Sequence, residues 1–269
     1  MSSTQDALAG LRRWKLTRND EIDPNGRVYL DQKGNVYHSV TRVLGATAPE
    51  QQKKNLERWL ERPSSEDERD IAAQRGTLAH DSAEFLLRTA AKMARNVGNR
   101  RGVWRPGDDG LMRCPPPITK WALNKALESA PKVSWSAAGY ARGLKAWIGD
   151  NVQAIHAIEF SVHHPAGFAG TCDALLDVGG KLTIVDWKTS ARARSDEMLT
   201  NYKHQLGAYS LGLKHLVGVE AAGGAIVVAR RSGAPQVRML DDEELAAAED
   251  AFLERMARYS SCFDLQQPL

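Results

Sequence analysis

The chain is predicted to fold as a mixed α/β (α+β) domain, with a central mixed sheet flanked by helices and helical elements near its N-terminus. Three stretches carry that expectation. FAGTCDALLDVGGKLTIVDWKT (168–189) reads as two apolar strands joined at Gly179-Gly180, a hairpin signal because both turn residues take positive φ without a Cβ clash. Residues 195–213 place Tyr202, Leu206, Tyr209 and Leu213 on one side of a helix. Gly224–Ala229 is then an apolar run of strand length, so a strand-helix-strand order follows the hairpin.

The other elements follow in order. Val28–Leu30 and Val36-Tyr37 form a small hairpin turning at Lys33-Gly34, and Ser39 is placed to cap a short helix over 40–45. A polar helix over 50–62 is stopped by Pro63. The next helix runs from about Ser65 to Lys92, with Ile71, Leu78, Phe85 and Leu86 as its apolar stripe. On it, His80 and Glu84 are four apart and share a face. Residues 93–117 are rich in Gly, Pro and Arg without periodicity and read as a loop excursion. Helices are expected over 118–129 and 136–152, and strands over 152–162, 168–178, 181–188, 224–229 and 236–240. Asp241 with Glu244 has capping-box spacing and opens a last helix ending near Ser260. No internal repeat is visible. The whole of 1–269 is expected to be one domain, with 93–150 a helical and loop insertion over its active site.

Composition narrows the function classes. The chain has 269 residues, 42% hydrophobic and 26% charged, enough for one large buried core. A net charge of +3 excludes a polybasic coat protein, so any contact with nucleic acid must come from local clustering. Cys114, Cys172 and Cys262 are widely spaced and odd in number, which predicts reduced thiols. Three cysteines also cannot build a four-cysteine iron–sulfur cluster, so none is expected. No apolar run has membrane-spanning length, and the N-terminus, with Asp6, Asp20, Glu21 and Asp23, resembles no signal or transit peptide. A cytoplasmic protein without a membrane partner is expected.

The chemistry concentrates in the hairpin. Counting back from Val178 opposite Lys181, Asp173 faces Asp186, with Cβ atoms roughly 5 Å apart on one side of the sheet. Lys188 lies two residues beyond Asp186 and shares that side. Opposed like charges destabilise a hairpin unless something neutralises them, and a hard divalent cation held by carboxylate oxygens is the natural candidate. An isolated D-x-K is more often a solvated salt bridge at a strand end. Here both aspartates sit inside apolar strands, which favours a metal site.

The G-x-x-D of Gly170–Asp173, the short hairpin, and Val185-Asp186-Trp187-Lys188-Thr189-Ser190 together resemble the PD-(D/E)xK nuclease superfamily, in particular the mitochondrial and phage exonucleases of its RecB-like branch. Gly76-Thr77-Leu78-Ala79-His80 is similar to that branch's upstream G-T-x-x-H, and Gln205–Tyr209 to its downstream Q-x-x-x-Y. Tyr37–Leu44 is similar to a P-S-V-T-x-V-L run, with His38 in place of the proline. The likeness spans about residues 36–213.

The resemblance implies an α-β-β-β-α-β core and a Mg2+- or Mn2+-dependent deoxyribonuclease, an exonuclease on single-stranded DNA ends acting in replication, recombination or repair, with DNA as partner alongside recombination or replication proteins. It implies that Asp173, Asp186, His80 and the Trp187 backbone carbonyl hold metal, with Glu84 at a second ion or orienting His80. Lys188 would position the attacking water, with Gln205 and Tyr209 completing the catalytic set. Glu159 resembles an acidic position of the branch, its register with Asp173 depending on the Pro165–Gly167 turn. Arg192 and Arg194 are placed to touch the scissile strand, and Arg95, Arg100, Arg101 and Arg105 with Trp104 suit single-strand binding, arginines for phosphate and an aromatic for stacking. His163-His164 is read as flanking a turn rather than as a zinc site. Two other readings use the same residues: a structure-specific or flap endonuclease, and a non-catalytic DNA-binding module of a recombination assembly.

Overall fold

Gly179 and Gly180 both take positive φ, 59° and 79°, and their two-residue turn fixes the register of the hairpin at the centre of the sheet. The computed structural model describes residues 11, 16–19, 28–106 and 111–263. The N-terminal residues Asp6, Asp20, Glu21 and Asp23 and the side chain of Cys262 lie outside that set.

In chain order the elements are β1 (Thr17–Asn19), β2 (Val28–Leu30), β3 (Val36–Ser39), α1 (Val40–Ala46), α2 (Glu50–Leu60), α3 (Ser65–Arg101), β4 (Arg105–Pro106), β5 (Met112–Arg113), α4 (Pro116–Ser129), α5 (Trp135–Asn151), β6 (Val152–His164), β7 (Phe168–Val178), β8 (Lys181–Thr189), α6 (Asp196–Val217), β9 (Gly223–Ala229), β10 (Gln236–Leu240) and α7 (Asp242–Phe263). Two caps act as their sequences require. Ser39 Oγ accepts from Arg42 N at 3.1 Å. Asp241 Oδ1 accepts from Glu244 N at 2.8 Å, while Glu244 Oε2 accepts from Asp241 N at 3.4 Å.

The sheet runs β1-β2-β3-β7-β8-β9-β10, with β6 pairing β7. Pairings are antiparallel except β3 with β7 and β8 with β9. Parallel β8 and β9 need a crossover, and α6 supplies it. Strand β7 pairs with β6 along its length. Its other edge pairs with β3 only at Phe168 and Ala169, and with β8 only from Ala174 to Val178. Residues 170–173 therefore lie in a gap between two partners, and Asp173 is the last residue of that gap.

Helices cover both faces. Under α6 and α7 lie Phe160, Phe168, Cys172, Leu175, Ile184, Ile226 and Val228; under α3, α4 and α5 lie Ala174, Leu176, Val185, Trp187, Ala225 and Val227. Cys172 and Ala174 are two apart yet pack on opposite faces, where a regular strand would keep them on one. Strand β6 shows the same switch between Ile158 and Phe160, and Glu159 between them has φ 46°. The two strands thus twist together at Glu159 and Asp173.

Two sequence expectations need correction. On α3, Ile71 and Phe85 are exposed, whereas Ala79, Ala83, Leu86, Leu87, Ala90 and Ala94 form the buried stripe. Small alanines let α4 and α5 approach closely, so the packing stripe is written in residues that a large-hydrophobe pattern passes over. The loop expected from residue 93 begins later, because α3 continues to Arg101 and stops at Gly102 in the left-handed conformation, φ 59°. Residues 93–150 build the helical layer on one sheet face: Trp147 of α5 packs edge-on against Trp187, ring centroids 5.6 Å apart.

Gly207 lets α6 and α7 touch backbone to backbone: a Cβ there would lie 2.4 Å from the carbonyl carbon and oxygen of Ala248. Gly207→Ala should lower stability by about 1–3 kcal/mol, read as a reduced urea midpoint with an unchanged slope. An unchanged midpoint would show that the helices separate freely.

Candidate active site

The twist at Asp173 brings side chains from both layers to one place. The hairpin register, observed from Val178 opposite Lys181 to Ala174 opposite Val185, breaks one step before Asp173 and Asp186. Asp173 instead turns its carboxylate along the strand end, and Oδ2 accepts from Trp187 N at 2.6 Å. Its Oδ1 lies 3.8 Å from His80 Nδ1, delivered by α3 from the opposite side. Asp186 is 1% exposed. Its Oδ2 contacts the Lys188 ammonium as an ion pair, without the alignment of a hydrogen bond, and receives no hydrogen bond from any other donor.

Helix α6 closes the other side. Lys188 Nζ sits 4.9 Å from the Tyr202 ring centroid, and Arg194 stacks on the same ring at 5.8 Å. Gln205 and Tyr209 are both buried, and Gln205 Nε2 donates to Tyr209 Oη at 2.7 Å. The spaced motifs are joined by contact. A Cβ at Gly170 would lie 2.7 Å from Tyr209 Cε1, so the glycine of G-x-x-D makes room for the tyrosine of Q-x-x-x-Y. A Cβ at Gly76 would touch Thr189 Oγ1 at 3.5 Å, so G-T-x-x-H lies against the end of V-D-W-K-T.

The electrostatics follow from crowding charge in a buried place. Burial, then the Asp186 carboxylate, push the Asp173 carboxyl well above its ordinary range, with Lys188 and the Trp187 N–H pulling back. For Lys188, burial acts downward, but Asp186 and Asp173 outweigh it and hold the ammonium above its usual value. His80 is lowered by burial and then by Lys188, against Asp186 and the Trp187 backbone, so its imidazole is neutral at pH 7. Burial and the nearby Asp186 raise the Tyr209 phenol well above 10, so it stays protonated. Glu159 is raised to about 7, by burial first and Glu84 second. Glu84 itself is tied to Arg88 one turn on.

The donor set suits a hard divalent ion. The carboxylates are buried, short of hydrogen-bond donors and mutually repelling, with a neutral imidazole beside them. Among the described residues no group of three His, Cys, Asp or Glu side chains is placed to enclose a metal. Two carboxylates with a backbone carbonyl fit magnesium, which keeps several waters, better than zinc, which prefers four protein ligands.

A model of the PD-(D/E)XK nuclease superfamily matches residues 1–265. The chain belongs to that superfamily. Members of the superfamily generally use divalent metals such as Mg2+. The human Mitochondrial genome maintenance exonuclease 1 is 26% identical over 230 residues, 84% of this chain and 58% of that protein. The mouse protein of the same name is 26% identical over 222 residues, 78% and 54% respectively. The chain thus spans little more than half the length of these relatives. The crystal structure of a candidate exonuclease from Eubacterium rectale aligns over 68% of this chain and 66% of that one, at 14% identity and a TM-score of 0.36, too distant to carry an argument.

In this PD-(D/E)XK chain the fold gathers His80, Glu84, Glu159, Asp173, Asp186, Trp187, Lys188, Gln205 and Tyr209 into one neighbourhood. The basic candidates divide. Arg192 is exposed and Arg194 half-buried just beyond β8. Arg101 lies 21 residues along α3 from His80, roughly 30 Å at helical rise. Trp104 beside it is held by Asn99 Oδ1 at 2.8 Å and fills the space over Gly98, and Arg105 folds back onto the Gly102 and Trp104 carbonyls. Tyr202 was legible only as part of an apolar stripe. Its position three residues before Gln205 was the available sign that it shares the site's side of α6.

The raised Glu159 carries a pH signature. A carboxyl whose folded pKa exceeds its unfolded value costs no stability below about pH 4.5 and its full cost above about pH 7. In metal-free buffer, Glu159→Gln should therefore raise the melting temperature at pH 8 relative to wild type and have less effect at pH 5. An equal shift at both pH values would show that Glu159 ionises normally.

Proposed function

We propose that the chain is a magnesium- or manganese-dependent deoxyribonuclease, acting as an exonuclease on single-stranded DNA ends in replication, recombination or repair. The observation that carries this reading is the buried Asp186 carboxylate, whose Oδ2 has the Lys188 ammonium as its one charged partner and which lies beside a second carboxylate whose protonation is strongly favoured. Such a pair is unfavourable alone and favourable around a dication. The exonuclease assignment draws on the name of the human and mouse relatives.

Asp173, Asp186 and the Trp187 backbone carbonyl would hold the ion, with His80 beside them. When bound, the ion would activate a water for attack and neutralise charge on the phosphate. Lys188 acts as an ammonium: its raised pKa suits it to orient the water and meet charge growing on the phosphate rather than to remove a proton. Tyr202 braces that ammonium from the helix side. Gln205 donates to Tyr209, which leaves the phenolic proton free for the water network or the DNA backbone. Glu84 would take a second ion or orient His80, and Arg192 and Arg194, which follow the Lys188 strand with Arg194 on the Tyr202 ring that Lys188 also meets, would touch the scissile strand.

End-labelled linear and circular single-stranded DNA, each with and without magnesium, test the reading. Release of mononucleotides or short fragments from linear DNA only, and only with metal, is expected. Cutting of circles would establish the endonuclease instead, and binding without cleavage under any metal would establish the silent module.

Asp186→Asn should abolish cleavage while folding is retained, because an amide is a poor ligand for a hard cation. Near wild-type turnover would refute the metal assignment. His80→Ala should be milder, with a larger effect in magnesium-free manganese assays, since manganese accepts nitrogen better. Lys188→Ala should slow single-turnover cleavage by about 10²–10⁴ at saturating metal. Its manganese affinity by titration calorimetry should be unchanged or tighter, because a repelling charge is gone. Lost affinity with an unchanged single-turnover rate would make Lys188 an organiser of the site only.

A further inference from the structure

Two half-buried arginines carry acidic partners: Arg113 is neutralised by Asp177, and Arg238 is paired with Glu244 and Asp196. Arg75 and Arg194 stack on the rings of Tyr140 and Tyr202. Arg255 on α7 is 3% exposed, and every partner of its guanidinium is neutral. Its Nε donates to Thr47 Oγ1 at 2.8 Å, Nη1 to Asn201 Oδ1 at 2.6 Å and to His204 Nδ1 at 3.1 Å, and Nη2 to the Leu44 carbonyl. Among the described residues no carboxylate touches it. Burying a cation without a counter-charge is costly even when it is hydrogen-bonded.

Arg255 does not face a closed core. It lines a pocket of about 500 Å³ between the end of α1, the start of α2 and one face of α6, with Thr47, Thr200, Asn201, His204 and Arg258. Arg258 follows one turn later on α7, is exposed, and has no acidic partner among the described residues. The one carboxylate on the lining, Glu50, is held by Lys53 at 3.0 Å. The pocket therefore carries two guanidinium charges in excess. Because His204 Nδ1 accepts from Arg255, its ring proton is left on Nε2 as a further donor. Such a lining suits an anion with several acceptor oxygens.

We propose that this pocket seats a phosphate group of the nucleic-acid strand away from the scissile bond. Placement decides for the strand over an unrelated anion. Asn201 and His204 flank Tyr202, which packs on Lys188, so the pocket and the candidate active site share the first half of α6 and are separated by about one helix width, ~10 Å. The group is either the monoester at a strand end or an internal diester; both present the oxygens that paired guanidiniums bind. This role rests on the nuclease reading above.

The test uses the full chain in EDTA, so that cleavage is off, and follows the His204 ring by NMR. The folded protein holds His204 down to about 4, chiefly by burial and then by Arg255. A phosphate seated on Arg255 and Arg258 should raise that value. A 5′-phosphorylated oligonucleotide, the same strand with 5′-hydroxyl, a circular strand and inorganic phosphate are titrated in turn. A response confined to the phosphorylated end supports the monoester, and an equal response to all strands supports the diester. Arg258→Glu, on the surface and free of the contacts that tie α7 to α1 and α6, should weaken oligonucleotide binding by about tenfold and remove the His204 shift. A response to inorganic phosphate but to no strand, or no response at all, overturns the proposal. Wild-type cleavage with a silent His204 removes the pocket alone, whereas a responsive His204 in a protein that never cleaves removes the nuclease reading.

Discussion

Two carboxylates held close together by a rigid hairpin are the constraint on which the rest of this structure depends. The Asp186 carboxylate and burial together make ionising Asp173 unfavourable. The fold relieves part of that with a single backbone N–H, from Trp187 to Asp173, and a single ammonium, Lys188 on Asp186. A protein selected for stability alone would place hydrophobic residues at both positions, since buried ionic groups are often no better than well-packed apolar ones. Keeping the pair, and supporting it from two helices, is intelligible when a dication completes it.

That support requires the sheet to be irregular. A regular β7 would send Asp173 to the face of one helical layer and leave the other layer out of reach. The coordinated twist at Glu159 and Asp173, set in the gap between the β3 and β8 pairings, lets His80 arrive from α3 while Lys188 meets Tyr202 from α6. The left-handed conformation at Glu159 costs on the order of 1–3 kcal/mol for a residue other than glycine. A glycine would avoid that cost but would lose the carboxylate. The strain and the charge therefore sit at one residue beside the site, which is where backbone irregularities concentrate.

Much of the architecture was legible because its signals are local. The Gly-Gly turn, the period of α6, the Ser39 cap and the Asp241–Glu244 capping box each act within a few residues, and β7 and β10 have the bounds the sequence predicts. What was not legible depends on neighbours distant in the chain. The alanine stripe of α3 means packing only because α4 and α5 exist to press on it. Trp104 looks like a stacking platform until Gly98 and Asn99 are seen to hold it. Convergence of Asp173, Asp186 and Lys188 could be read from strand geometry, yet the actual turn of Asp173 toward Trp187 N could not, since an ideal pleat predicts a plain cross-strand pair. The family resemblance pointed to His80, Gln205 and Tyr209, and the close approach of Tyr209 to Gly170, where a Cβ would lie 2.7 Å from the ring, explains why G-x-x-D needs its glycine.

Helix α6 connects these observations. Its sequence places Tyr202, Gln205 and Tyr209 toward the buried acids, where burial keeps a phenol protonated and an ammonium charged. One residue away, Asn201 and His204 face α7 and accept from a guanidinium that has no acidic partner among the described residues. One face of the helix thus borders an excess of negative charge and the adjacent face an excess of positive charge. Each excess is unfavourable within the protein alone, and the two are opposite in sign. A polyanion bridged to one side by a cation and held directly on the other side satisfies both, and a nucleic-acid strand has that character. The separation of charge across a single helix is a stronger pointer to such a ligand than the net charge of +3, which averages it away.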